Sequence, residues 1–134
     1  MIQYTFVVCS YNGEARIGNC LNPISKQSPA SRCALVVVDN ASSDQTSNCA
    51  RSTWKRLGTP FPITVIHEAR KGLSFAREAG ALSAANEVIV FVDDDNLIDG
   101  NWIESLDEIF LNPSIGAVGA IGEGMKWPTS LSAQ

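Results

Sequence analysis

The sequence predicts an α/β domain, with a mainly parallel, Rossmann-like sheet covered by helices on both faces. Three observations carry that prediction. Short apolar, β-branched runs alternate with segments of helical period, the pattern of parallel strands joined by crossover helices. Leu35-Val36-Val37-Val38 and Val88-Ile89-Val90-Phe91-Val92 have no polar interruption, as strands buried on both faces require. Both runs end in carboxylates, at Asp39 and at Asp93-Asp94-Asp95. In such sheets ligands bind beyond the carboxyl ends of the strands.

The elements follow in order. Gln3 to Cys9 reads as the first strand, followed by the polar turn Ser10-Tyr11-Asn12-Gly13. Ile17, Cys20, Leu21 and Ile24 recur at helical spacing, and Pro23 within them kinks or ends the helix. Lys26 to Arg32 is polar loop, and Leu35 to Val38 is the second strand. Ser42 and Gln45 have the spacing of a capping box, opening a helix that buries Cys49, Thr53, Trp54 and Leu57. Gly58 and Pro60 end it. Ile63 to His67 is the third strand, and Leu73 to Asn86 is an alanine-rich helix suited to close packing on the sheet. After the strand Val88 to Val92, the residues Trp102, Ile103, Leu106, Ile109 and Phe110 form the apolar face of a fourth helix. Ile115 to Val118 reads as a last, short strand.

Size and composition narrow the function. At 134 residues the chain fits one domain with a real core, short for an enzyme with two substrates. With 45% apolar and 18% charged residues it is of soluble globular type, and its net charge of -4 argues against nucleic acid or an anionic membrane as partner. The cysteines Cys9, Cys20, Cys33 and Cys49 form no Cys-x-x-Cys pair, which disfavours a zinc or redox site and points to a reducing compartment. No basic segment followed by a long apolar stretch opens the chain, so the expected location is cytoplasmic.

The acidic tripeptide is the sharpest chemical signal. Clustered carboxylates repel one another, and a hard divalent ion with oxygen ligands relieves that cost while keeping positions open for phosphates. Strand alternation puts Asp93 and Asp95 on one side and Asp94 on the other. Competing motifs fail. The first strand is not followed by Gly-x-Gly-x-x-Gly, and no Gly-Lys-Ser/Thr ending marks a P-loop. A receiver-type phosphorylation site lacks its acids after the first strand. An EF-hand starting at Asp93 places Glu104 well but has Ile98 where glycine is needed and Leu97 where an oxygen ligand belongs. A nucleotide–metal site built from Asp39, Asp93, Asp95 and nearby cations remains.

Four segments in order then carry a resemblance. Val36-Val37-Val38-Asp39-Asn40-Ala41-Ser42-Ser43-Asp44 resembles the Val-Val-Asp-Asp-Gly-Ser-x-Asp segment of family 2 glycosyltransferases, as does the opening Phe6-Val7-Val8-Cys9-Ser10-Tyr11-Asn12. Lys71-Gly72-Leu73-Ser74-Phe75-Ala76-Arg77-Glu78-Ala79-Gly80 is similar to that family's Gly-x-x-x-Ala-Arg-Asn-x-Gly stretch, and Asp93-Asp94-Asp95 to its Asp-x-Asp motif. The resemblance implies a GT-A domain, a nucleotide-diphospho-sugar donor (most commonly a UDP-sugar), Mg²⁺ or Mn²⁺, and transfer with inversion to a saccharide or lipid-linked acceptor. It implies that Asp39 bonds the nucleobase, Tyr11 lies against it, and Asp93 approaches the ribose. Arg77 would pair with the diphosphate and Asp95 would hold the metal, with Ser10 and Asp94 completing the nucleotide site.

Glu78 departs from the family's asparagine, and the chain stops soon after Gly122. The donor-binding domain is therefore expected over residues 1–126, with 127–134 as tail, and the acceptor half and catalytic base are expected beyond it. A full-length parent could sit at the inner face of the membrane. Such a truncation predicts exposed apolar surface at Val118, Ile121, Met125 and Trp127, and self-association through it. A non-catalytic nucleotide-binding module and a metal-dependent nucleotide hydrolase stand as alternatives. Plainer roles also exist: Asp39 as a turn cap, Arg77 as the ion-pair partner of Glu78 or Asp93, Tyr11 as packing, Asp44 and His67 as structural residues, Arg70 and Lys71 as solvated charges.

Overall fold

The computed structural model describes residues 1–120. Four parallel strands, β1 (Tyr4–Ser10), β2 (Cys33–Asp39), β3 (Ile63–His67) and β4 (Val88–Asp93), form one sheet in the order β3-β2-β1-β4. The connecting helices are α1 (Ile17–Ser25), α2 (Thr46–Arg56) and α3 (Leu73–Ser83), with α4 (Trp102–Phe110) after the last strand. The expected doubly covered α/β architecture is what forms.

Strand alternation sorts the two faces. Tyr4, Phe6 and Val8 of β1 share one core with Leu35, Val37, Val90 and Val92, under α1, α2 and α4. Val7, Val36 and Val38 face the other side, where α3 supplies Ala76. Ile17, Cys20, Leu21 and Ile24 of α1 are all buried, as their spacing predicts. Trp54 of α2 is buried edge-on against Phe61, at 5.0 Å between ring centroids, and its indole N–H donates to the Phe61 carbonyl at 2.8 Å. The alanine-rich α3 does approach closely: a Cβ on Gly80 would lie 2.4 Å from Val7 Cγ1.

Four expectations are corrected. Ser42 does not cap α2. The helix starts at Thr46, whose backbone N–H is bound by the Asp44 carboxylate, while the Ser42 hydroxyl accepts from the Asn12 N–H. A capping-box spacing needs its Ser hydroxyl free, and here a long-range contact takes it. The helix α3 ends at Ser83 rather than Asn86, because Asn86 turns back to bond the Tyr4 carbonyl. Cys49 and Leu57 are only half-buried beside the fully buried Ala50 and Thr53. No strand covers Ile115 to Val118. Val118 is exposed, as expected, while Ile121, Met125 and Trp127 lie outside the described residues. Among the described residues no helix is long and apolar enough to cross a membrane.

Candidate nucleotide and metal site

Parallel pairing brings the strand ends into one edge. Ser10 stands opposite Asp39, Asp39 opposite His67, and Cys9 opposite Asp93. Since β2 and β3 lie to one side of β1 and β4 to the other, the topological switch point falls between β1 and β4. Two left-handed residues mark the loops at this edge, Asn12 (φ 48°) and Ala41 (φ 58°). The loops are sewn together. Asn12 Oδ1 accepts from the Ser43 N–H at 2.8 Å, and the Gly13 and Glu14 N–H groups donate to Thr46 and Asp44.

Asp39 sits buried at the end of β2. Its Oδ1 accepts the Ser42 N–H at 3.1 Å, its Oδ2 accepts the Ser47 hydroxyl at 2.5 Å, and His67 Nδ1 lies 3.8 Å away. Burial pushes this carboxyl up, but the hydrogen bonds from Ser42 and Ser47, with His67 adding to them, hold it below the usual carboxylate range. It therefore stays ionised at neutral pH, and a carboxylate retains lone pairs beyond those two donors. Asp39 borders a cleft of about 500 Å³ whose lining includes Ser42, Asp44, Ser47, Arg51 and His67. The capping role open to Asp39 in the sequence is thus real, and it is also what orients the carboxylate.

At the switch point Asp94 Oδ2 accepts the Ser10 hydroxyl at 2.6 Å. Arg16 clamps the same carboxylate from the other side, Nε to Oδ1 at 3.3 Å and Nη2 to Oδ2 at 2.9 Å. Its Nη2 also donates to the Tyr11 carbonyl at 3.2 Å. Ser10 and Asp94 are therefore brought together, but each satisfies the other. The strand ends at Asp93, and the Asn96 N–H closes a turn onto the Asp93 carbonyl at 3.0 Å. Alternation thus stops before Asp95, which corrects its expected pairing with Asp93 on one strand face. Asp93 instead meets Arg77, Nη2 to Oδ1 at 3.4 Å, and Arg77 lies over the Phe91 ring at 5.9 Å. Asp95 is exposed and its carboxylate makes no hydrogen bond among the described residues. Tyr11 is half exposed, with Lys71 Nζ 5.5 Å from its ring centroid, and Arg70 lies over Phe75 at 4.6 Å. Lys71 and Arg70 are therefore engaged with aromatic faces as well as solvated.

No three His, Cys, Asp or Glu side chains converge into a cage among the described residues. That donor set fits one kind of metal. Mg²⁺ and Mn²⁺ at phosphate sites take one or two carboxylates and complete their shell with phosphate and water oxygens. Asp95, exposed and without a hydrogen-bond partner among the described residues, can supply one such carboxylate.

Sequence reasoning missed Arg16, Ser47 and Asn40. Asn40 is buried; its Nδ2 donates to the Glu68 and Arg70 carbonyls at 3.0 and 2.8 Å, and its Oδ1 accepts the Gly72 N–H. It fixes the loop that leads into α3 and hence the start of the helix carrying Arg77. Its place directly after Asp39 was the one available signal. Arg16 carried none, since nothing in the chain between them links it to Asp94.

The parallel sheet, with acidic residues beyond its strand ends at the switch point, is an α/β domain of GT-A type. The model of glycosyl transferase family 2 matches residues 5–126, and the chain belongs to that family. A relative in Bacillus subtilis, the uncharacterized glycosyltransferase EpsJ, is 31% identical over 78% of this chain and 29% of its own length. The chain thus spans about three tenths of that relative. Among solved structures, Staphylococcus aureus TarS 1–349 with UDP superposes with a TM-score of 0.73 at 24% identity, covering 94% of this chain and 38% of that one. At that identity the likeness is one of fold. A mannosyltransferase of Pyrobaculum calidifontis, in complex with GDP-Man and Mn²⁺, has a TM-score of 0.73 at 28% identity, covering 88% of this chain and 34% of its own.

Proposed function

We propose that residues 1–126 form the donor-binding unit of an inverting transferase that moves a sugar from a nucleotide-diphospho-sugar to a saccharide or lipid-linked acceptor. The observation that carries this reading is the division of labour among the edge carboxylates. Asp39 is buried and held ionised, Asp94 is neutralised by Ser10 and Arg16, and Asp95 is left open to solvent.

Each residue's role follows from its surroundings. Asp39, oriented by Ser42 and Ser47, accepts a base N–H, and its burial excludes competing water. Tyr11 offers a half-exposed ring for stacking beside it. Arg77 exchanges its long contact with Asp93 for phosphate oxygens, which a guanidinium fits better, and so frees Asp93 toward a ribose hydroxyl. Asp95 binds Mg²⁺ or Mn²⁺. When bound, the cation offsets the charge that grows on the departing nucleoside diphosphate. The Mn²⁺ and GDP-Man of the Pyrobaculum enzyme support both the cation and the donor class. UDP is the first donor nucleotide to test, and a cytoplasmic site suits such donors.

Calorimetric titration with UDP and with GDP, each with and without Mn²⁺, tests the reading on wild type and Asp95→Ala. Metal-dependent binding of one nucleotide is expected. Asp95→Ala should weaken it by about tenfold or more, since losing even an outer-shell partner of a metal ligand typically costs about that much. A folded wild type that binds neither nucleotide sinks the proposal.

A further inference from the structure

We propose that Arg16 is a positioning residue that couples the two halves of the donor site, so that cation and nucleotide bind cooperatively; this rests on the donor-site reading above. The two halves stand on different elements. Tyr11 belongs to the loop after β1, and Asp95 to the turn after β4. Arg16 bridges them with three hydrogen bonds, two to Asp94 and one to the Tyr11 carbonyl. The Ser10 hydroxyl adds a fourth bond across the same gap.

The bridge is built tightly. Gly13 passes so near that a Cβ there would lie 2.0 Å from Ser10 Oγ and 2.6 Å from Asp94 Oδ2. Its carbonyl accepts the Arg16 N–H at 2.9 Å and the Ile17 N–H at 2.8 Å, so the same residue starts α1 and seats Arg16. Asp94 and Asp95 are adjacent in one closed turn, and the Asp94 bond and charge, with Asp95 adding to them, hold the Arg16 guanidinium above its ordinary value. A cation on Asp95 fixes that turn. Arg16 then passes the ordering to the Tyr11 backbone, and a base stacked on Tyr11 passes it back, as linkage requires.

The test titrates UDP into the full chain with and without Mn²⁺, comparing wild type, Arg16→Ala, Arg16→Lys and the double variant Arg16→Ala/Asp94→Ala. Coupling between two linked sites is typically about 5- to 150-fold, and the wild-type ratio of UDP affinities is expected in that range. Arg16→Ala should lower the ratio by about fivefold. Its melting temperature should barely move, because the Arg16 side chain is 45% exposed. The double variant should lower the ratio at least as far as the single one, since Asp94→Ala also removes the Ser10 bond that Arg16→Ala leaves across the gap. Arg16→Lys should recover part of the ratio, because an ammonium keeps the charge but not the fork. An unchanged ratio in Arg16→Ala overturns the coupling while leaving the donor site standing. A wild type that binds UDP equally well without Mn²⁺ overturns it too. A wild type that binds neither UDP nor GDP overturns the donor site and the coupling together.

Discussion

Gly13 shows how little room the site leaves at the scale of one residue. Neither its backbone angle nor its exposure demands glycine; the two oxygens beside it do. A methyl group there would occupy the space of the Ser10–Asp94 hydrogen bond. Gly13→Ala is expected to destabilise the fold by about 1–3 kcal/mol, the usual cost of overpacking. It should also weaken UDP binding. Urea unfolding followed by calorimetry separates the two effects, and a variant of wild-type stability would mean the loop relaxes more freely than its contacts imply. The contrast with Asp39 is instructive. Both residues were present in the sequence reading, but only Asp39 announced chemistry, because a carboxylate ending an apolar run is anomalous and a glycine in a turn is not.

At the scale of the element, α3 is the informative case. Its alanine content foretold a close approach to the sheet, and the structure locates that approach at Gly80, against Val7 and Val38. The Cβ of Gly80→Ala would come within 2.4 Å of Val7 Cγ1 and 3.1 Å of Val38 Cγ2. Since Val7 lies mid-sheet, the helix must shift, at an expected cost of about 1–3 kcal/mol. The shift also moves Arg77, one helical turn away on α3. Thermal melting should show the lost stability, and the diphosphate affinity should fall with it. Melting unchanged from wild type would place the helix farther from the sheet than described. The beginning of α2 teaches the opposite lesson. Local spacing favoured Ser42 as its cap, whereas the Asn12 N–H recruits the Ser42 hydroxyl and leaves the task to Asp44. Only a contact across 30 residues could decide that.

The whole molecule has a pH window set by its hydrogen-bonded carboxyls and its desolvated thiols. Asp39, Asp44 and Asp107 all titrate below the ordinary carboxylate range, Asp44 chiefly through Thr46 and Asp107 chiefly through Arg32 and Tyr4. For carboxyls lowered in the fold, stability is present above the unfolded value, about 3.9, and is lost as pH falls through the folded one. Burial raises the thiols of Cys9, Cys20 and Cys33 to about 11, 12 and 11. For groups raised in the fold, stability is present below the unfolded value, about 8.5, and is lost as pH rises toward the folded values. The melting temperature is therefore expected to be level between about pH 4 and pH 8.5 and to fall on both sides. Replacing Cys20 by Ala should flatten part of the alkaline limb. An alkaline limb unaltered in that variant would assign the loss to other groups.

The sequence by itself determined the architecture and the polarity of the site. Apolar runs of strand length alternating with helical periods admit few arrangements, and parallel pairing collects every strand end at one edge. Asp39 and the acidic tripeptide therefore end their strands at the same edge, on either side of β1. What the tertiary structure decided is which carboxylate is already partnered and which is left open. Asp94 is claimed by Ser10 and Arg16, Asp39 is turned by Ser42 and Ser47, and Asp95 remains open because the strand stops at Asp93. Those assignments depend on side chains from distant elements competing within hydrogen-bond reach of one another. No local pattern records such competition, because it exists only once the sheet has brought the strand ends together.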